Sequence, residues 1–142
     1  MPKLTRREHV IGWAGIVVLV AIFLPWQSLD PPTGTTHYDT WIDGWKTGIV
    51  GWGGAMLLAA AGEYLIARRL GYRLWAPPFG DTWLAVGLCA TGLVLVLVRW
   101  ATLPPTLLGI TTGSSYGLWI AVAAGVVETV AAVDEARGGG RP

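Results

Sequence analysis

One cysteine, Cys89, is the whole thiol complement of this 142-residue chain, and it stands inside an apolar run. An intrachain disulfide framework is excluded, as is thiol-redox chemistry that needs paired cysteines. Histidine is nearly as scarce. His9 and His37 lie at opposite ends of the first apolar run, so they cannot both ligate one haem. Charged residues make up only 13% of the chain, where soluble domains carry about a quarter. The net charge of +1 supplies no basic field for nucleic acid, which is excluded as a partner. Absent as well are Gly-x-Ser-x-Gly, His-Glu-x-x-His, a phosphate-binding Gly-rich loop and Cys-x-x-Cys. The sequence therefore points away from an enzyme and gives no catalytic residue, cofactor or bound metal.

What is present is apolar: 53% hydrophobic residues and a mean hydropathy of +0.52. A chain so poor in polar side chains cannot cover itself in water, and the lipid bilayer is its better solvent. The length allows one domain. Four apolar runs stand out, at about 10–26, 48–67, 82–100 and 116–133. The first is short for a bilayer that needs about 20 residues, which places Trp26 at an interface. It lacks a small-x-small cleavage site, so it is read as a retained span and not a signal peptide. Asp81 follows a Pro77-Pro78-Phe79-Gly80 turn and is placed to N-cap the third run. Residues 134–142 are polar and Gly-rich, and a disordered tail is expected there.

Lys3, Arg6 and Arg7 precede the first run, Arg68, Arg69 and Arg73 follow the second, and Arg137 and Arg141 close the chain. With four spans, all three basic segments fall on one side, and the positive-inside rule makes that side cytoplasmic. The expected fold is an all-α membrane protein, a four-helix antiparallel transmembrane bundle in the cell membrane with both termini cytoplasmic.

The stretch Phe23–Gly48 joins the first two runs, and residues 27–47 within it form the expected outer cap. Trp26, His37, Tyr38, Asp39, Trp41, Asp43 and Trp45 make this cap a candidate partner surface, because aromatics anchor interfaces. The same aromatics also fit an interfacial belt. His37, Asp39 and Asp43 do not match a strong metal-ligand spacing, and Asp43 can equally pair with Lys46 or Arg99. Trp26-Gln-Ser-Leu-Asp-Pro-Pro-Thr33 also resembles Trp100-Ala-Thr-Leu-Pro-Pro-Thr106. Two duplicated hairpins related by an axis along the membrane normal would account for that. So would the general preference for Trp and Pro at an interface.

Small residues mark where helices approach in lipid. Gly48, Gly51, Ala55, Ala59 and Gly62 form a stripe on the second run; Gly117, Ala121, Ala124, Glu128 and Ala131 form one on the fourth. Glu63 and Glu128 are the only acids inside the runs, each about 8–9 Å from the cytoplasmic end at about 1.5 Å per residue. Acids at that depth are candidates for an ion or proton site. The alternative is that they reach Arg68, Arg69, Arg6 or Arg7 and pin the helices.

Phe23-Leu-Pro-Trp26, the acidic loop ending in Trp41-Ile-Asp-Gly-Trp45, then Arg99 and Pro104-Pro105 before a Gly-led fourth run, together resemble a known pattern. It is that of a group of uncharacterised small four-span membrane proteins from high-GC Gram-positive bacteria. The resemblance implies a four-span fold and a cell-membrane location, and carries over no catalytic residue. The functional expectation is a structural or accessory subunit that binds another membrane protein or forms a homo-oligomer. The alternative is a small proton- or cation-coupled transporter or channel that uses Glu63 and Glu128.

Overall fold

The computed structural model describes residues 4–30, 40–72, 74–75, 77–104, 106–107 and 110–138. Four helices dominate it: α1 (Arg6–Ala21), α2 (Ile49–Arg69), α3 (Asp81–Ala101) and α4 (Tyr116–Gly138). Between them lie β1 (Pro25–Asp30) and β2 (Thr40–Asp43), then β3 (Thr106–Leu107) and β4 (Ile110–Ser114). By length and composition α2, α3 and α4 can each cross a membrane, which supports a membrane protein.

The start of α1 is written locally. The Thr5 hydroxyl accepts from the Glu8 amide (3.2 Å), and the Glu8 carboxylate accepts from the Thr5 amide (2.7 Å). This reciprocal cap satisfies two donors that a helix N-terminus leaves orphaned. The far end differs from the expected span of 10–26. The α-helix stops at Ala21, and Pro25 opens β1. A residue before proline is pushed toward extended backbone, and a strand's first position tolerates the missing N–H. At 16 residues, α1 rises about 24 Å at about 1.5 Å per residue. At the chain's other end, α4 continues to Gly138, so residues 134–138 are helical and not a disordered tail.

Each helix packs on two neighbours in the ring α1–α2–α3–α4, which closes through α1 against α4. Glycine sets these contacts. A Cβ on Gly54 would meet the Gly92 carbonyl at 2.8 Å, and one on Gly92 would meet the Gly54 carbonyl at 2.6 Å, so α2 and α3 touch through bare backbone. Gly62 faces the Ile11 carbonyl (3.0 Å), and Gly15 faces Ala59 (3.4 Å), where α2 crosses α1. The expected stripes are buried at Gly51, Ala55, Ala59 and Gly62 and at Gly117 and Ala121. Gly48 is a correction. A Cβ there would meet nothing within 4 Å, so no helix packs on it, and its φ of +91° makes it the left-handed turn that admits α2. The N-cap of α3 is likewise Gly80 and not Asp81, which makes no cap bond.

The connections hold the main surprise. The segment expected as a cap and the loop before α4 combine in one four-stranded sheet of order β2–β1–β4–β3, antiparallel at every pair. Gln27 pairs with Ser114 and Asp30 with Thr111 across its centre. Two hairpins duplicated about an axis would put equivalent strands, first with third or second with fourth, at that centre. Here first meets fourth. Trp26 lies in β1 and is buried, whereas Trp100 ends α3 and is exposed, so the repeated motif does not occupy equivalent places.

Candidate functional site

Charge collects at the end of the helices away from the sheet. Glu8 is only 2% exposed, and its carboxylate accepts from Arg69 Nε as well as from its own cap. The same guanidinium reaches Glu135 Oε1 at 3.7 Å, so one arginine of α2 holds two buried acids, one from α1 and one from α4. Arg7 pairs with Asp134 (3.5 Å) and donates to its carbonyl (3.2 Å). Arg68 donates to Asp81 Oδ2 (2.9 Å) and to the Leu74 carbonyl (3.3 Å). The Tyr64 hydroxyl lies 2.8 Å from Asp81 Oδ1 and 2.9 Å from the Trp75 carbonyl. All four helices are thereby tied at this end. Sequence reading missed Glu8 and Glu135 as ties, although Thr5-x-x-Glu8 is a legible capping signature.

Glu63 and Glu128 behave differently from each other. Glu63 is exposed, with no hydrogen bond or ion pair among the described residues. Glu128 is 0% exposed, and neither carboxylate oxygen has a hydrogen-bond partner among the described residues. A Cβ at Gly62 or Gly15 would come 3.4 or 3.5 Å from its Oε1, so the carboxyl lies where α1, α2 and α4 meet. Cys89 of α3 and the Gly62 backbone adjoin it without making a bond of normal geometry. No basic side chain pairs with it. Burial in such surroundings leaves a negative charge uncompensated. The two acids therefore do not form a joint site, and neither ties to an arginine. Glu128 alone is the candidate.

The candidate outer surface also divides. Trp26 is 1% exposed and donates through Nε1 to the Ala21 carbonyl at 2.7 Å. It is the plug that closes the end of α1, with Gly44 against its ring, and not a partner-facing aromatic. Asp43 accepts from the Lys46 amide (3.0 Å) and pairs with its ammonium (3.8 Å), an N-cap of the 3-10 turn Gly44–Thr47. Trp45 is 53% exposed, stacked on Phe23 at 6.4 Å and tilted against Trp52 at 5.3 Å. The backbone of Trp41 pairs with Ser28 in the sheet. His37, Tyr38 and Asp39 lie outside the described residues. No group of three or more His, Cys, Asp or Glu placed to hold a metal occurs among the described residues.

Comparison with known proteins returned no matching family model, no similar curated protein and no similar solved structure.

Proposed function

We propose that the chain is a four-span, antiparallel helix bundle of the cell membrane, with both termini cytoplasmic. In this reading it is a non-enzymatic structural or accessory subunit that binds another membrane protein or a second copy of itself. The sheet carries the reading. Two separate connections are pooled into one ordered platform on the end opposite the Arg68, Arg69 and Arg7 cluster, far more structure than two helix turns require. The exposed Trp45–Phe23 stack lies beside it and offers a rigid aromatic anchor. The interior argues in the same direction. Among the described residues, the buried polar groups between the helices are Glu8 and Glu135 at the charged end, Arg99 Nε near the sheet end, and only Glu128 and Cys89 in between; the Thr129 hydroxyl is already bonded to the Gly125 carbonyl (2.7 Å). A wet path would need polar side chains along the whole depth.

One observation favours a second reading, a proton- or cation-coupled transporter centred on Glu128. A buried carboxylate without a partner is completed by a proton or a cation. Glu63 has no part in that version.

Purification from native membrane in mild detergent, followed by mass measurement, separates the two. The accessory reading predicts a stable complex with a partner or a defined homo-oligomer. A partner-free monomer contradicts it, and proton-dependent uptake after reconstitution, abolished in Glu128→Gln, replaces it with the transporter.

A further inference from the structure

The seam between α1 and α4 is open on its outer side. A groove of about 580 Å³ runs along it, lined on α1 by Arg6, His9, Trp13 and Val17 and on α4 by Ile120 and Val127. A second section of about 380 Å³ shares Arg6 and Val127 and continues along the seam to Arg7 and Asp134. The wall changes character along its length. Between Val10 and Val17, and between Ile120 and Val127, it is hydrocarbon apart from the Trp13 ring. Beyond Val10 it becomes basic.

Three features fit one occupant. From Arg6 to Val17 the helix rises about 16 Å at about 1.5 Å per residue, close to half of a hydrocarbon core about 30 Å thick. Arg6 to Val17 thus spans about one leaflet, of which the apolar section from Val10 to Val17 takes about 10 Å at about 1.5 Å per residue. Arg6 stands at its mouth, exposed, with no hydrogen bond or ion pair to any described residue. Its neighbour Arg7 is held by Asp134, and His9 donates through Nδ1 to the Thr5 carbonyl (2.9 Å). A guanidinium at the head of an apolar groove matches a lipid phosphate, and basic pockets between spanning helices on the cytoplasmic side bind anionic headgroups. Trp13, 66% exposed, flanks the chain just below.

We propose that this seam is a binding site for an anionic glycerophospholipid of the inner leaflet, with one acyl chain in the α1–α4 groove and its phosphate on Arg6. The site rests on the four-span reading, because it needs α1 within the bilayer.

Trp13 reports on it directly. The protein is reconstituted in phosphatidylcholine vesicles containing one-tenth dibrominated phosphatidylglycerol, or one-tenth dibrominated phosphatidylcholine. The quenching lost in Trp13→Phe gives the Trp13 share of the signal. That share is expected to be several-fold larger with the brominated anionic lipid. Arg6→Gln reduces the preference about fivefold, the factor that corresponds to about 1 kcal/mol per basic side chain at an anionic surface. Arg137→Gln, at the same end but outside the groove, leaves it unchanged. Equal quenching by the two lipids, or a preference that survives Arg6→Gln, overturns the site. Quenching of Trp13 by neither lipid overturns the bilayer placement of α1 and the site with it, while leaving the α2–α4 spans standing.

Discussion

Glu8 and Glu128 are both buried acids on helices, yet their surroundings assign them opposite roles. Glu8 has its helix cap and Arg69 for partners; Glu128 has two glycines, a thiol and no cation. Removing the Arg69 guanidinium leaves Glu8 and Glu135 without their shared partner. Arg69→Gln is expected to destabilise the protein by about 1–3 kcal/mol, the range for a buried charged group left unsatisfied. Half of the Arg69 side chain faces solvent, which holds the effect toward the lower end. Adding Glu8→Gln should recover part of the loss, as read from thermal unfolding in detergent, whereas strictly additive effects would contradict a shared tie. Glu128→Gln removes only a charge that no neighbour balances, so stability should hold within about 1 kcal/mol. A large loss would mean that the carboxylate is paired in the native state. Sequence depth alone marked Glu63 and Glu128 as equals. Their difference is angular: Gly62 of α2 faces α1, and the next residue, Glu63, turns outward.

The helices were legible as elements because apolar runs of the right length dominate the composition, and so were the starts of α2 and α3 beside Gly48 and Gly80, whereas the first run was read past Pro25 and the fourth short of Gly138. Strands β1 and β4 were not. Gln27–Asp30 and Ile110–Ser114 are short, rich in Thr and Ser, and lack the period-two alternation of a half-buried strand. Their pairing is a long-range fact, created when the helices bring the two connections together. The small-residue stripes of α2 and α4 were found from spacing, but the closest backbone approach, Gly54 on Gly92, was not, because the partner glycine sits on another element. This contact yields a paired test. Gly87, also in α3, has open space where a Cβ would go, so Gly87→Ala should gain up to about 1 kcal/mol from helix propensity. Gly92→Ala gains the same propensity but forces a methyl into the Gly54 carbonyl and Leu58, and should lose about 1–3 kcal/mol net. Equal melting temperatures for the two variants would contradict the α2–α3 crossing.

Seen whole, the molecule has two unlike ends. One is held by seven ion-paired or hydrogen-bonded side chains, Arg7, Glu8, Tyr64, Arg68, Arg69, Asp134 and Glu135, from α1, α2 and α4, together with Asp81 of α3. The other is closed by a sheet, by Trp26 beneath it and by the Trp45 stack beside it. Paired basic side chains stand at one end, while Trp26 and the Trp45 stack stand at the other, and the proposed orientation rests on where the basic residues fall. The central claim is that the chain crosses the membrane four times, with the sheet outside and the charged end inside. Single cysteines in a Cys89→Ser background test it in intact cells with a membrane-impermeant maleimide. Lys46→Cys and Ser115→Cys, at the sheet end, are predicted to label without permeabilisation. Lys3→Cys, Tyr72→Cys and Arg137→Cys are predicted to label only after it. Labelling of Lys3→Cys from outside, together with Lys46→Cys, would contradict the crossing by α1 and with it the four-span account.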